Sequence, residues 1–171
     1  MKIIPTKKAI PLFSYIRDSQ KKINDDERSF YSWHANYFTV NRKKILVLDN
    51  DLTLSPVVLA DINAKNKKNL EEHIKLGIEE VFSYSDVSSS QISCYLLKAG
   101  QIELACNYNR SMIGVVNNMI QLIKLNPEDI DFNSIIQPKI MQWLSEIPFK
   151  SQTPEYIVSQ DATKEHLSKL V

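Results

Sequence analysis

Apolar residues along this chain follow a strand-like pattern over about 33–60 and a mainly helical repeat from about residue 65 onward. Residues 2–5 form a short apolar run that predicts an opening strand. Ile10, Leu12, Phe13 and Ile16 predict a helix capped by Thr6 and running to about residue 17, unless it begins only at Pro11. The polar stretch 21–28 reads as a loop. Residues 33–40 are aromatic and β-branched and alternate as a strand does. A polar interruption at 41–43 is of hairpin length, and 45–48 is a continuous apolar run of the kind covered on both faces. After a turn at Asn50 and Asp51, residues 54–60 predict a third strand. Pro56 has no N–H to give a ladder, so that strand belongs at an edge or carries a bulge.

Leu70, Ile74, Ile78 and Val81 then recur at helical spacing across 65–84. Ser88 to Ser90 can cap a second helix bearing Ile92, Tyr95, Leu96 and Ala99, which Gly100 ends. Ile102, Leu104 and Cys106 alternate as a fourth strand. A long helix over 110–125 stops at Asn126-Pro127, another is expected over 132–147 with Pro138 kinking or delaying it, and a short one over 161–167. Residues 33–60 thus make an antiparallel meander. The expectation is one α+β domain spanning 1–171, a mainly antiparallel sheet of four or five strands packed with several helices.

Composition changes this picture little. A chain of 171 residues buries roughly 70% of the surface its unfolded form exposes, enough to fold without disulfides or metal. Charge is balanced, 21 basic against 20 acidic residues, which argues against a protein dominated by a polyanionic partner. Cys94 and Cys106 stand far from any ligand-like spacing and are expected reduced and mostly buried, as suits a cytoplasmic protein. The opening residues lack the apolar stretch of a secretion signal, and no window approaches the ~20 apolar residues of a membrane span. No membrane association is expected.

Gly occurs only at positions 77, 100 and 114, so the clustered glycines of a P-loop or dinucleotide fingerprint are missing. Neither cofactor nor metal is expected. Asp49 and Asp51 flank Asn50 at a spacing seen around Mg²⁺, but it is also the ordinary chemistry of a tight turn. Three features carry candidate chemistry. His34 and Asn36 share one strand face, opposite Trp33, and either bind a polar ligand or tie the strand to a neighbouring loop. Arg110 and Ser111 open a helix whose first N–H groups can receive an anion, with Gly114 and Asn117 on the Arg110 face. Gly114 inside that helix implies close packing or ligand approach there. Arg42, Lys43 and Lys44 at the hairpin are candidate nucleic-acid contacts.

Trp33-His34-Ala35-Asn36, with Phe38-Thr39-Val40-Asn41-Arg42-Lys43-Lys44, resembles the hairpin motif of an uncharacterised bacterial family of unknown function. The resemblance continues through Arg110-Ser111-Met112-Ile113-Gly114-Val115-Val116-Asn117 and reaches Ile147-Pro148-Phe149, nearly the whole chain. It departs at Val116, where such a family carries Met, and at Asp49, where an apolar residue is usual. The resemblance implies a domain and no activity. The leading expectation is a non-enzymatic binding or interaction protein, its partner a protein or a small anionic ligand. A small-molecule or nucleotide-processing enzyme built around His34, Asn36, Arg110 and Asn117 is the alternative, and a nucleic-acid-binding hairpin a second. The two motifs are expected to meet, by pairing of the fourth strand beside the Trp33 strand.

Overall fold

The computed structural model describes residues 1–22, 29–106 and 108–170. Six strands, β1 (Lys2–Pro5), β2 (Arg17–Lys22), β3 (Ser32–Val40), β4 (Lys43–Asn50), β5 (Pro56–Leu59) and β6 (Glu103–Cys106), form one sheet in the order β2-β6-β1-β3-β4-β5. The five helices are α1 (Leu70–Ser83), α2 (Ser89–Ala99), α3 (Arg110–Leu125), α4 (Pro138–Glu146) and α5 (Ser159–Ser168). The fold is α+β, with a larger and more mixed sheet than the apolar pattern predicts. β3, β4 and β5 are the antiparallel meander. β1, β6 and β2 extend it on the other side, each pairing parallel to its neighbour.

Several differences from the sequence expectation have identifiable causes. A helix from Thr6 does not form. Pro11 supports only the short 3-10 turn Ile10–Phe13, and the Thr6 hydroxyl bonds elsewhere. Arg17–Lys22 is too polar to read as a strand, yet it pairs with β6 as an edge strand with five of its six residues exposed. Residues 21 and 22 therefore belong to that strand, whereas 23–28, also expected as loop, lie outside the described residues. α4 starts only at Pro138, which occupies its first turn where a missing N–H costs nothing.

Other boundaries follow local chemistry. Ser88 and Gln91 close a reciprocal capping box at the start of α2, and Gly100 ends that helix at φ +66°. β5 is indeed an edge strand, with Pro56 at its start. The β3–β4 hairpin turns on Asn41 and Arg42, both with positive φ, as a two-residue turn matching strand twist requires.

Both faces of the central strands are covered, so β4 is buried from Ile45 to Asn50. On one face Trp33 meets Phe82 of α1, and its indole N–H donates to the Tyr95 hydroxyl of α2 across 3.1 Å. The Tyr95 hydroxyl in turn donates a hydrogen bond to the Phe30 carbonyl at 2.7 Å. Burial holds the Tyr95 phenol well above the usual tyrosine range. Gly77 of α1 lies so close to β5 that a Cβ there would sit 2.6 Å from Val57 Cγ1. On the opposite face α3 lies over β3 and β4. No described helix is long and apolar enough to cross a membrane.

Candidate functional site

Alternation along β3 sends Trp33 to one face of the sheet and His34 and Asn36 to the other, under α3. His34 is 2% exposed and is held at both ring nitrogens. Its Nε2 accepts the backbone N–H of Asn109 at 2.9 Å, so that nitrogen carries no proton. Nδ1 therefore bears the hydrogen and donates to Asp51 Oδ1 at 2.6 Å. Asp51 lies in the turn that follows β4, so the ring ties that turn to the start of α3.

Asn36, 6% exposed, is committed just as fully. Its amide donates to Asn117 Oδ1 on α3 at 2.8 Å. Its Oδ1 accepts from the Thr6 hydroxyl at 2.8 Å and the Tyr37 amide at 2.9 Å. The two motifs thus meet, by a route other than strand adjacency, since β1 lies between β6 and β3. Asn36 and Asn117 bond to one another, and His34 is engaged by Asp51 and Asn109.

Asn109 completes this join. It is the N-cap of α3, and its Oδ1 accepts the amides of Ser111 at 2.8 Å and Met112 at 3.2 Å. The helix-start donors expected to receive an anion at Arg110 and Ser111 are therefore engaged in part by the chain itself. Gly114 departs from expectation too: a Cβ built there meets nothing within 4 Å, so neither close packing nor backbone approach explains it.

What remains open to solvent lies beside this join. α3 covers β3 and β4, and the adjoining strands carry a cleft of about 440 Å³ past the carboxyl ends of β1 and β6. Pro5, Leu104 and Ala105 line it together with Lys7, Asp18, Cys106, Tyr108 and Arg110, and Ile10 closes one side. The crevice beyond the carboxyl ends of parallel strands is where open α/β sheets place ligands. Ile10 and Tyr108 are exposed apolar side chains that both face this cleft. Arg110 and Lys7 bring two cations, and no described carboxylate lies within ion-pair reach of either. Of the candidates read from the sequence, only Arg110 lines the cleft; Trp33, His34, Asn36, Ser111 and Asn117 do not. Cys106 is exposed rather than buried, its thiol 3.5 Å from the Lys21 carbonyl, and Cys94 is half-buried; both are free thiols.

The basic hairpin is less available than its composition implies. Lys43 pairs with Asp61 at 3.1 Å and lies over the Phe132 ring, and Lys44 lies over Tyr37. Arg42, at φ +65°, lies at the exposed tip, and Lys44 is exposed as well. Among the described residues, no group of three or more His, Cys, Asp or Glu is placed to hold a metal ion.

Fold and site together define an α+β domain with a mixed six-stranded sheet and a cationic cleft at the ends of two parallel strands. The chain belongs to a family described as a domain of unknown function (DUF6933), whose match spans residues 3–162. No curated protein and no solved structure matches it.

Proposed function

We propose that this domain is a non-catalytic binding module whose cleft takes a small ligand through an anionic group. The observation carrying this reading is the pairing of Lys7 and Arg110, uncommitted to any described carboxylate, in one cleft with exposed apolar walls. A volume of about 440 Å³ falls within the ~300–1,000 Å³ of small-molecule sites. Arg110 offers a planar fork for a carboxylate or phosphate, and Lys7 a mobile point charge. The positive end of the α3 dipole adds to both.

The enzymatic alternative asks His34 to move a proton. Its Nε2 lone pair already receives the Asn109 amide, and the ring is shut away from the cleft. A general base needs reach to the proton it takes. The binding reading makes no such demand.

Titrating inorganic phosphate and caproate into ¹⁵N-labelled protein tests the proposal. Amide shifts should move at Lys7, Tyr108 and Arg110, and the Lys7→Ala/Arg110→Ala double variant should weaken binding by about tenfold, or ~1.4 kcal/mol. Shifts scattered over the surface, or unchanged affinity in the double variant, would remove the cleft from consideration.

A further inference from the structure

The cleft holds a carboxylate as well as its two cations. Asp18 lines it from β2, while Lys7 enters just after β1 and Arg110 just after β6. In the order β2-β6-β1 the flanking strands stand two spacings apart, roughly 10 Å at the backbone. The negative group thus enters from one flank, and the Lys7 cation enters from the other. Between them lie Leu104 and Ala105 of β6, and Ile4 with Ala105 forms a small apolar patch separate from the main core.

The geometry of β2 holds that negative group in place. The pairing of β2 with β6 shifts register between Asp18 and Lys21, a bulge of the kind that re-aims side chains. Gln20 within it adopts φ +50°, uncommon for a residue with a β-carbon. Ser19 anchors the bulge by donating to the Leu104 carbonyl at 2.7 Å, and the Gln20 amide donates to Asp18 Oδ1 at 2.8 Å. Asp18 is thereby oriented through one carboxylate oxygen.

Resting on the binding reading above, we infer that the ligand is a small zwitterion whose anionic and ammonium groups are held apart by an apolar spacer. The anion goes to Lys7 and Arg110, the ammonium to Asp18, and the spacer crosses Leu104 and Ala105. A simple anion engages only the cationic side of the cleft and leaves Asp18, which is exposed, to water. A ligand with adjacent charges reaches one pole and strands the other.

Three compounds of matched size separate these cases: caproate, its α-amino derivative norleucine, and ε-aminocaproate with charges at opposite ends. Affinities are read from amide shifts at Lys7, Asp18 and Arg110 at millimolar ligand, in wild type and in Asp18→Asn. The asparagine keeps the oxygen that accepts from Gln20, so the bulge survives. ε-Aminocaproate should bind about threefold more tightly than caproate, the scale of an exposed ion pair, and lose that advantage in the variant. Norleucine matching ε-aminocaproate would overturn the separated poles. Caproate binding as well as ε-aminocaproate would overturn the zwitterion and leave the anion reading standing. No shift at the cleft with caproate, phosphate or ε-aminocaproate would overturn both.

Discussion

The imidazole of His34 accepts the backbone N–H of Asn109 at 2.9 Å, joining the middle of the sheet to the cap of α3. A residue whose chemistry invites a catalytic role therefore acts as a bolt between two elements. Asp51 on the ring's other nitrogen fixes the tautomer that makes the join. His34→Ala removes both bonds at once, the one to the Asn109 amide and the one to the Asp51 carboxylate, and empties a buried position between β3 and α3. Urea denaturation should show a loss of about 3 kcal/mol, well beyond that of an ordinary surface substitution.

Gly77 and Gly114 should respond to alanine in opposite directions. Gly114→Ala meets open space in a helix and should add about 0.5–1 kcal/mol. Gly77→Ala forces Val57 or α1 to shift and should cost about 1–3 kcal/mol. Thermal melts of the two variants side by side are sufficient, and a shared sign would refute the packing described for α1 on β5.

Arg42 carries the left-handed conformation of the second hairpin position on a side chain ill suited to it. Arg42→Gly produces the Asn-Gly pair that this turn prefers and should stabilise the domain by about 1 kcal/mol. A denaturation midpoint that falls instead would mean the arginine makes contacts worth more than its strain.

His166 of α5 is half-buried against the Phe30 ring, with centroids 5.6 Å apart. Burial first, then the Lys169 charge, lowers its pKa below the usual histidine value, while Glu165 opposes both. Between the lowered folded value and the ordinary one, the unfolded chain binds more protons, so stability rises with pH through that window. Below the window the contribution is lost. His166→Gln should flatten this part of the stability curve, as urea midpoints measured across the ordinary histidine range would reveal.

The parts of the fold that could be read in advance are those whose signals are local. α3 spans the 110–125 that its helical repeat predicts and stops at Asn126-Pro127, and α2 is bounded by Ser88 and Gly100. The hairpin and the edge position of β5 likewise follow from Asn41 and Pro56. β2 was hidden because Arg17–Lys22 has no apolar alternation; an edge strand with both faces wet needs none. The parallel pairings of β1 were hidden because four residues hold no information about distant partners.

The site divides along the same line. His34 and Asn36 stand out in the sequence, but Asp51, the partner that decides what His34 does, looks like an ordinary turn residue. Lys7, Asp18 and the neighbouring Cys106 and Tyr108 come from three separate segments that only the parallel topology assembles, so no spacing marks them as a group. A basic residue and an exposed aromatic just beyond two apolar strand ends were the available hints.

The two margins of the sheet bear on how this protein behaves when crowded. β2 presents Arg17, Lys21 and Lys22 along a bent, bulged border, so an incoming strand meets repulsion and a broken ladder. At the far margin Pro56 withholds a donor, while the Ala60 amide and the Val58 carbonyl are spent on Ile135 and Gln137. Both described borders thus carry features that work against another copy lengthening the sheet by strand pairing.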